Sequence, residues 1–351
     1  MIPQFISKHV LTIGSDYKKT QGGIAQILSS YSKLFEQFNF IPTTFGNNKM
    51  IKAGVMLTAL IRVIVQSIFG NYKIIHIHGA SYNSFKRKKY FIHLAKFFHK
   101  KVIYHIHGGG FEEFYNQNKK EVKNVLLKCD TIVVLSDYWK FFFTNEIGCK
   151  QVVIIRNIIE NPIFQKVQKK DSVLHFVLLG LLGKNKGVYD LLEEIKDHKE
   201  FYQHKIKLHL GGNGEVENIQ SFIRQHDLSE IVTYEGWVSG QKKQELLSNS
   251  DVYILPSYKE GMPLSIIEAM SYKLPIISTL IGSIPELVDS TNGILIPPGD
   301  KKSLHCANVK ILNNKDKLKQ MGLASYQKAQ NYFPENIEET LTKLYSSLLN
   351  L

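Results

Sequence analysis

The chain has 351 residues, 44% of them hydrophobic and 21% charged, which suits about two globular domains and leaves no need for a disulfide or metal staple. That composition excludes a disordered, collagen-like or disulfide-scaffold protein. The 44 Lys/Arg against 31 Asp/Glu give a net charge of +13. The excess lies in one half: residues 1–170 carry 25 basic and 9 acidic side chains, residues 171–351 carry 19 and 22. Such asymmetry turns the first half toward a polyanion, either nucleic acid or an anionic membrane surface.

Short β-branched runs alternate with helical patterns from one end to the other. The first half predicts strands over 10–14, 74–78, 102–107, 131–135 and 152–155, and helices over 21–38 and 84–99. Residues 50–70 are apolar and about long enough to span a bilayer. Lys52 and Arg62 interrupt that run, Arg62 near its centre, where charge is costly, so the expectation is a buried helix of an α/β domain. The polar, Pro-containing stretch 160–172 reads as a linker. Beyond it come strands over 174–179, 207–210, 231–234, 252–255, 276–278 and 293–296, with helices over 189–195, 241–248 and 264–271. The last helix, 335–351, has Ile337, Leu341, Leu344 and Leu348 at helical spacing, so it must dock on something.

This alternation predicts an α/β protein with parallel sheets covered on both faces. The strands are too many for one ordinary sheet. We expect two doubly wound, Rossmann-like domains, 1–160 and 161–334, facing a central cleft at the carboxyl ends of their strands, and a terminal helix, 335–351, packing back on the first. Cys129, Cys149 and Cys306 are odd in number and lack CxxC spacing, which reads as reduced thiols of a cytosolic protein. The start shows no signal-peptide pattern.

The segment from Asp251 to Thr279 holds the most chemistry. A buried strand ends at Pro256, and Glu260-Gly261-Met262-Pro263 leads into a helix carrying Glu268. Backbone N–H groups at such a junction, next to a positive helix terminus, suit a phosphate. Glu260 is expected at the mouth of the cleft and Glu268 about two turns beyond the loop. Residues 178–192 read as strand, Gly-rich turn and helix, with Lys184 and Lys186 in the turn, where a lysine can neutralise phosphate oxygens. Leu210-Gly211-Gly212-Asn213-Gly214 is a second strand-end turn, which fails the GxGxxG fingerprint because Glu217 stands at the last position. Gly236-Trp237-Val238 makes a third.

In the first half, Gly22-Gly23 precedes a helix whose amides can meet phosphate or acceptor. His76-Ile77-His78-Gly79 and His105-Ile106-His107-Gly108 each close a strand. A four-histidine zinc site is conceivable, but buried strand-end histidines with other partners are commoner. Residues 84–101 alternate Phe85, Phe91, Ile92, Leu94, Ala95, Phe97 and Phe98 with Lys86, Arg87, Lys88, Lys89, Lys96, Lys100 and Lys101. Such a basic helix suits an anionic membrane surface.

The run Glu260-GMPLSII-Glu268-AM, continued in Pro275-IISTLIGSIPELV and Asn292-GILIPPGD, resembles the two-glutamate motif of retaining nucleotide-sugar glycosyltransferases with the GT-B fold, glycosyltransferase family 4. The resemblance covers nearly the whole second half and more loosely the first. It implies that Glu260 contacts donor-sugar hydroxyls near the anomeric carbon, that Glu268 holds the ribose, and that the backbone over Gly261, Met262, Pro263 and Leu264, through the N–H groups of its non-proline residues, holds the distal phosphate. It assigns Lys186 to the leaving phosphate, Gly22, Gly23, Gly212 and Val238 to the nucleotide and diphosphate, and His107 to the acceptor or the reaction centre. Leu181 stands where the family has arginine, and Lys184 is the nearest replacement cation. The implied activity is transfer from a nucleotide diphosphate sugar to a lipid-linked saccharide in capsule, O-antigen or exopolysaccharide assembly, at the inner face of the cell membrane, with no metal and no cofactor. Alternatives are a nucleotide-sugar epimerase on the same fold, or a non-catalytic nucleotide-sugar or nucleic-acid binding protein. No nucleic-acid-binding motif accompanies the basic charge.

Overall fold

The computed structural model describes residues 1–20, 22–46, 48–164 and 173–351. Gln21 and residues 165–172 of the expected linker lie outside that set. The chain divides into two compact units, Met1–Glu160 with Tyr332–Leu351, and Asn161–Asn331.

The first unit is built on β1 (Val10–Gly14), β2 (Asn39–Pro42), β3 (Ile74–Gly79), β4 (Lys101–Ile106), β5 (Thr131–Val134) and β6 (Val152–Ile154). They form one sheet in the order β2-β1-β3-β4-β5-β6, every pair parallel. All residues of β1, β3 and β5 are buried, as a sheet covered on both faces requires. The sequence pattern missed β2, a half-buried edge strand that ends in proline. The helix expected over 21–38 is shorter, α1 (Gly23–Ser32). The apolar Leu34 and Phe35 that follow are buried by the N-terminal segment, through Ile2 N–H to Leu34 O at 2.6 Å and the bridge between Ile2 and Phe35.

Two further expectations need correction. The apolar run becomes α2 (Lys49–Phe69), which is largely exposed, not buried. Only one stripe, Ala59, Val63 and Ser67, is covered. Next to it, α3 (Asn83–Phe97) does bury Phe85, Phe91, Ile92 and Ala95. Lys88, however, is in the core instead of on the basic face: its ammonium donates to Thr43 Oγ1, and burial, seconded by Arg87, lowers its pKa to about 7.

The second unit is built on β7 (Leu174–Leu179), β8 (Ile206–Gly211), β9 (Val232–Gly236), β10 (Val252–Leu255), β11 (Ile276–Thr279) and β12 (Gly293–Ile296). The order is β12-β11-β10-β7-β8-β9, again wholly parallel. Its first strand, β7, pairs with the fourth, β10, so the winding reverses between them. A doubly wound sheet opens a crevice at that reversal, beyond the carboxyl ends of the two strands. In the first unit the same reversal falls between β1 and β3. Around the second sheet lie α4 (Val188–Asp197), α5 (Gly240–Asn249) and α6 (Leu264–Ser271). The terminal helix α7 (Pro334–Leu349) belongs to the first unit, burying Ile337, Leu341, Leu344, Tyr345 and Leu349.

Candidate active site

The loops that leave β7 and β10 meet at the reversal point. After β7 the chain turns through Gly180 and the short 3-10 helix Lys184–Lys186, then enters α4 at Gly187. Gly187 has φ +67°, and a Cβ there would lie 2.0 Å from Pro256 O, so only glycine allows the two loops to touch. Tyr258 N–H donates to Asn185 O at 2.9 Å and ties them together. This close approach delivers Lys186 Nζ to Glu260 Oε1 as an ion pair. Ser257 Oγ donates to the same carboxylate oxygen at 2.8 Å. Glu260 is only 9% exposed, so its charge is tolerated because the ammonium and the hydroxyl replace water.

Pro263 caps α6 and offers no side-chain acceptor to its first-turn N–H groups. Glu268 is the fifth residue of this helix, one turn in and not two as the loop spacing suggested. Its carboxylate pairs with Lys243 of α5 at 2.6 Å. Lys243 escaped the sequence reading, because a lysine on a polar helix carries no local motif and its partner lies 25 residues away. Both glutamates are thus held by lysines.

The other expected residues of this unit sit around the same sheet edge. Gly212 follows β8, and with φ +145° its added Cβ would lie 1.7 Å from Gly180 O, so this turn packs directly on the lysine turn. Val238, after β9, is buried against Gly211. Gly261, Met262 and Pro263 are buried and Leu264 is half-buried. Lys184 is exposed, and Leu181 is 69% exposed, an apolar side chain in water where a cation was expected. The edge thus presents a lysine, a helix N-terminus and two carboxylates, a set that can hold a phosphate and hydroxyls side by side.

Gly22, Gly23 and His107 belong to the first unit. Gly22 caps α1 with φ +124°, a conformation that favours glycine. His107 follows β4 and donates or accepts at its Nε2 with His78 Nδ1 at 2.9 Å. With His76 and His105 it makes a stack on one face of β3 and β4: the His105 ring lies 4.2 Å from that of His107 and 5.4 Å from that of His76. His76 Nδ1 hydrogen-bonds Tyr345 Oη of α7 at 2.6 Å. Burial lowers the pKa of His76 and His107 to about 3 and that of His78 and His105 well below the ordinary range, so all four are neutral.

One ring nitrogen of each of His76, His78 and His105 lies within 4.8 Å of the others, close enough to raise the question of a metal. Their planes are only 12° to 33° apart, so the in-plane lone pairs do not aim at one point, and an ion would require the rings to turn. Glu194, His198 and His305 form a second such group, remote in sequence from the glutamate loops. There Glu194 already accepts hydrogen bonds from Tyr202 and Asn308 and bonds His305 at 2.7 Å, and the imidazoles stack 3.7 Å apart.

Residues 160–328 match the family model described as glycosyl transferases group 1. Among curated proteins, the putative colanic acid biosynthesis glycosyltransferase WcaL of Escherichia coli is 26% identical over 206 residues, 55% of this chain and 50% of that one. Its Salmonella typhimurium counterpart is 22% identical over 71% of this chain and 63% of its own length. The chain therefore spans about half to under two thirds of these relatives. Among solved structures, sucrose-phosphate synthase from Thermosynechococcus elongatus aligns over 100% of both chains with a TM-score of 0.81 at 16% identity. Anabaena HepE in complex with UDP-glucose aligns over 96% of this chain and 99% of its own, with a TM-score of 0.77 at 16% identity. The chain thus has the GT-B fold, two Rossmann-like domains, and its second unit carries the sequence pattern of the group 1 glycosyl transferases.

Proposed function

We propose that this protein is a glycosyltransferase of polysaccharide assembly that moves a sugar, with retention of anomeric configuration, from a nucleotide diphosphate donor to a lipid-linked saccharide. The observation that carries the reading is the Lys186–Glu260 pair beside the N-terminus of α6, at the reversal point of a sheet whose sequence matches a glycosyl transferase family. The names of the curated relatives support the polysaccharide setting.

In this reading the donor diphosphate lies against the first turn of α6 and the glycine turns at Gly180 and Gly212. Lys186 exchanges its carboxylate partner for the distal phosphate, and Lys184 adds charge at the rim. Glu260 then accepts hydrogen bonds from sugar hydroxyls near the anomeric carbon. Glu268 takes the ribose hydroxyls, and Val238 lines the nucleoside side. The bond from C1 to the phosphate oxygen breaks as the acceptor hydroxyl bonds to C1 on the same face, and the hydroxyl proton passes to the departing phosphate. Positive charge grows on the sugar near Glu260 while negative charge grows on the diphosphate near Lys186 and the helix terminus, so the preset charges favour the transition state over bound substrate. His107, neutral and at a strand end, serves on the acceptor side. The chemistry requires no metal, and the enzyme works at the cytoplasmic face of a membrane.

Anabaena HepE has been solved with UDP and with UDP-glucose, which makes UDP the first probe. Calorimetric titration of the whole chain with UDP should show binding that weakens about tenfold in Lys186→Ala. A wild-type protein that binds no nucleoside diphosphate refutes the donor site.

A further inference from the structure

Helix α2 is apolar on two sides. Ala59 and Val63 are fully covered and belong to the core of the first unit, with Met56 and Leu60 packed against it. On the opposite side, Leu57, Ile61, Ile64 and Ile68 follow at steps of four, three and four, which is one stripe along the helix. Leu57 is 61% exposed, Ile61 53%, Ile68 54% and the terminal Met50 and Phe69 more than 80%. Val65 and Ile51 widen the strip. A run of 21 residues is about 31 Å long, so this is a continuous apolar ridge in water, more than a soluble surface ordinarily shows.

The charge around the ridge identifies what covers it. Between Gln37 and Phe111 the sequence has 11 Lys/Arg and no Asp or Glu. A second copy seated on this face would bring like charges together, whereas lipid phosphates complement them. We propose that α2 is an interfacial helix: its outer stripe lies in the plane of an anionic bilayer at the headgroup–acyl boundary, with Arg62 on its flank reaching the phosphates. The helix does not span, because Ala59 and Val63 hold it against β2 and α3. Neighbouring α3 adds exposed Tyr90 and Phe97 together with Lys86. Its other lysines contribute less than their number suggests, since Lys88 is buried and Lys89 and Lys96 are paired with Glu121 and Asp130. Apolar contact therefore carries most of the attachment, and charge selects the lipid.

This inference is independent of the transfer reaction, since it is read without donor or acceptor. The full chain should float with vesicles of phosphatidylcholine and phosphatidylglycerol, and raised salt should remove only part of the binding. Replacing Leu57, Ile61, Ile64 and Ile68 together with glutamine should lower the bound fraction constant about tenfold or more, with an unchanged circular dichroism spectrum. Arg62→Glu with Lys86→Glu should instead lower the preference for phosphatidylglycerol. As a check that needs no polar substitution, Ile61→Trp should shift its emission to the blue on adding vesicles. Failure of the wild type to float, or equal flotation of the glutamine variant, overturns the proposal. So does a wild-type dimer that the glutamine variant converts to monomer, which would make the ridge a self-association surface.

Discussion

Glu260 and Lys186 neutralise one another across their ion pair, and each is needed by a different part of the proposed transition state. Glu260→Gln keeps the shape and the Ser257 contact but removes the negative charge, and Lys186→Ala removes the cation that faces the diphosphate. Each should lower turnover about hundredfold. Lys186→Ala should also lower the melting temperature, because it takes the cation from a mostly buried carboxylate and leaves it the Ser257 hydroxyl. Gly187→Ala is a separate test of the loop contact. Its Cβ would meet Pro256 O at 2.0 Å in a backbone conformation that disfavours side chains, so donor binding and stability should both fall, read by calorimetry and thermal denaturation. Lys243→Ala should weaken donor affinity with little change in kcat, since Lys243 touches Glu268 and not the reacting carbon in this account.

At the scale of elements, the histidine stack gives the first unit a pH dependence. His76 and His107 are neutral in the fold down to a pH of about 3, while the unfolded chain takes up protons below about 6.5. Between those values the unfolded state binds more protons, so the histidines' share of the stability is complete above about 6.5 and declines as the pH falls. Tyr31 and Tyr345 face the stack as neutral phenols, and Lys88 approaches His78, which further opposes protonation there. Thermal unfolding of the whole chain should therefore show a first transition that moves down between pH 7 and pH 5, and His105→Gln should reduce the slope. A flat profile over that range contradicts the assignment. The strands were legible because each is a short, mostly β-branched run, and β1, β3, β5, β10 and β11 are buried along their whole length, a pattern that survives without knowledge of its partners. β2 was not, since an edge strand of four residues with a terminal proline has no such run. The carboxylate loop was legible because Pro256, Gly261 and Pro263 fix backbone and acid together within a few residues. Lys243 and the outward stripe of α2 were not, because each depends on what another segment covers, and periodicity alone cannot say which of two apolar faces is turned inward.

At the scale of the molecule, the +13 charge resolves into a second half near neutrality and a first half with a strong basic excess, part of which folding hides in the core or in ion pairs. In the proposed function the two units have separate work: the second holds the nucleotide sugar, and the first holds the acceptor and lies on the membrane. The decisive measurement is a transfer assay with the purified protein. A panel of nucleotide diphosphate sugars and a lipid-linked saccharide acceptor would be used, with the anomeric configuration of the product read by NMR. Transfer with the donor's configuration retained is expected, reduced about hundredfold in Glu260→Gln and in Lys186→Ala. Transfer at wild-type rates in both variants, or a product of inverted configuration, would contradict the proposed function.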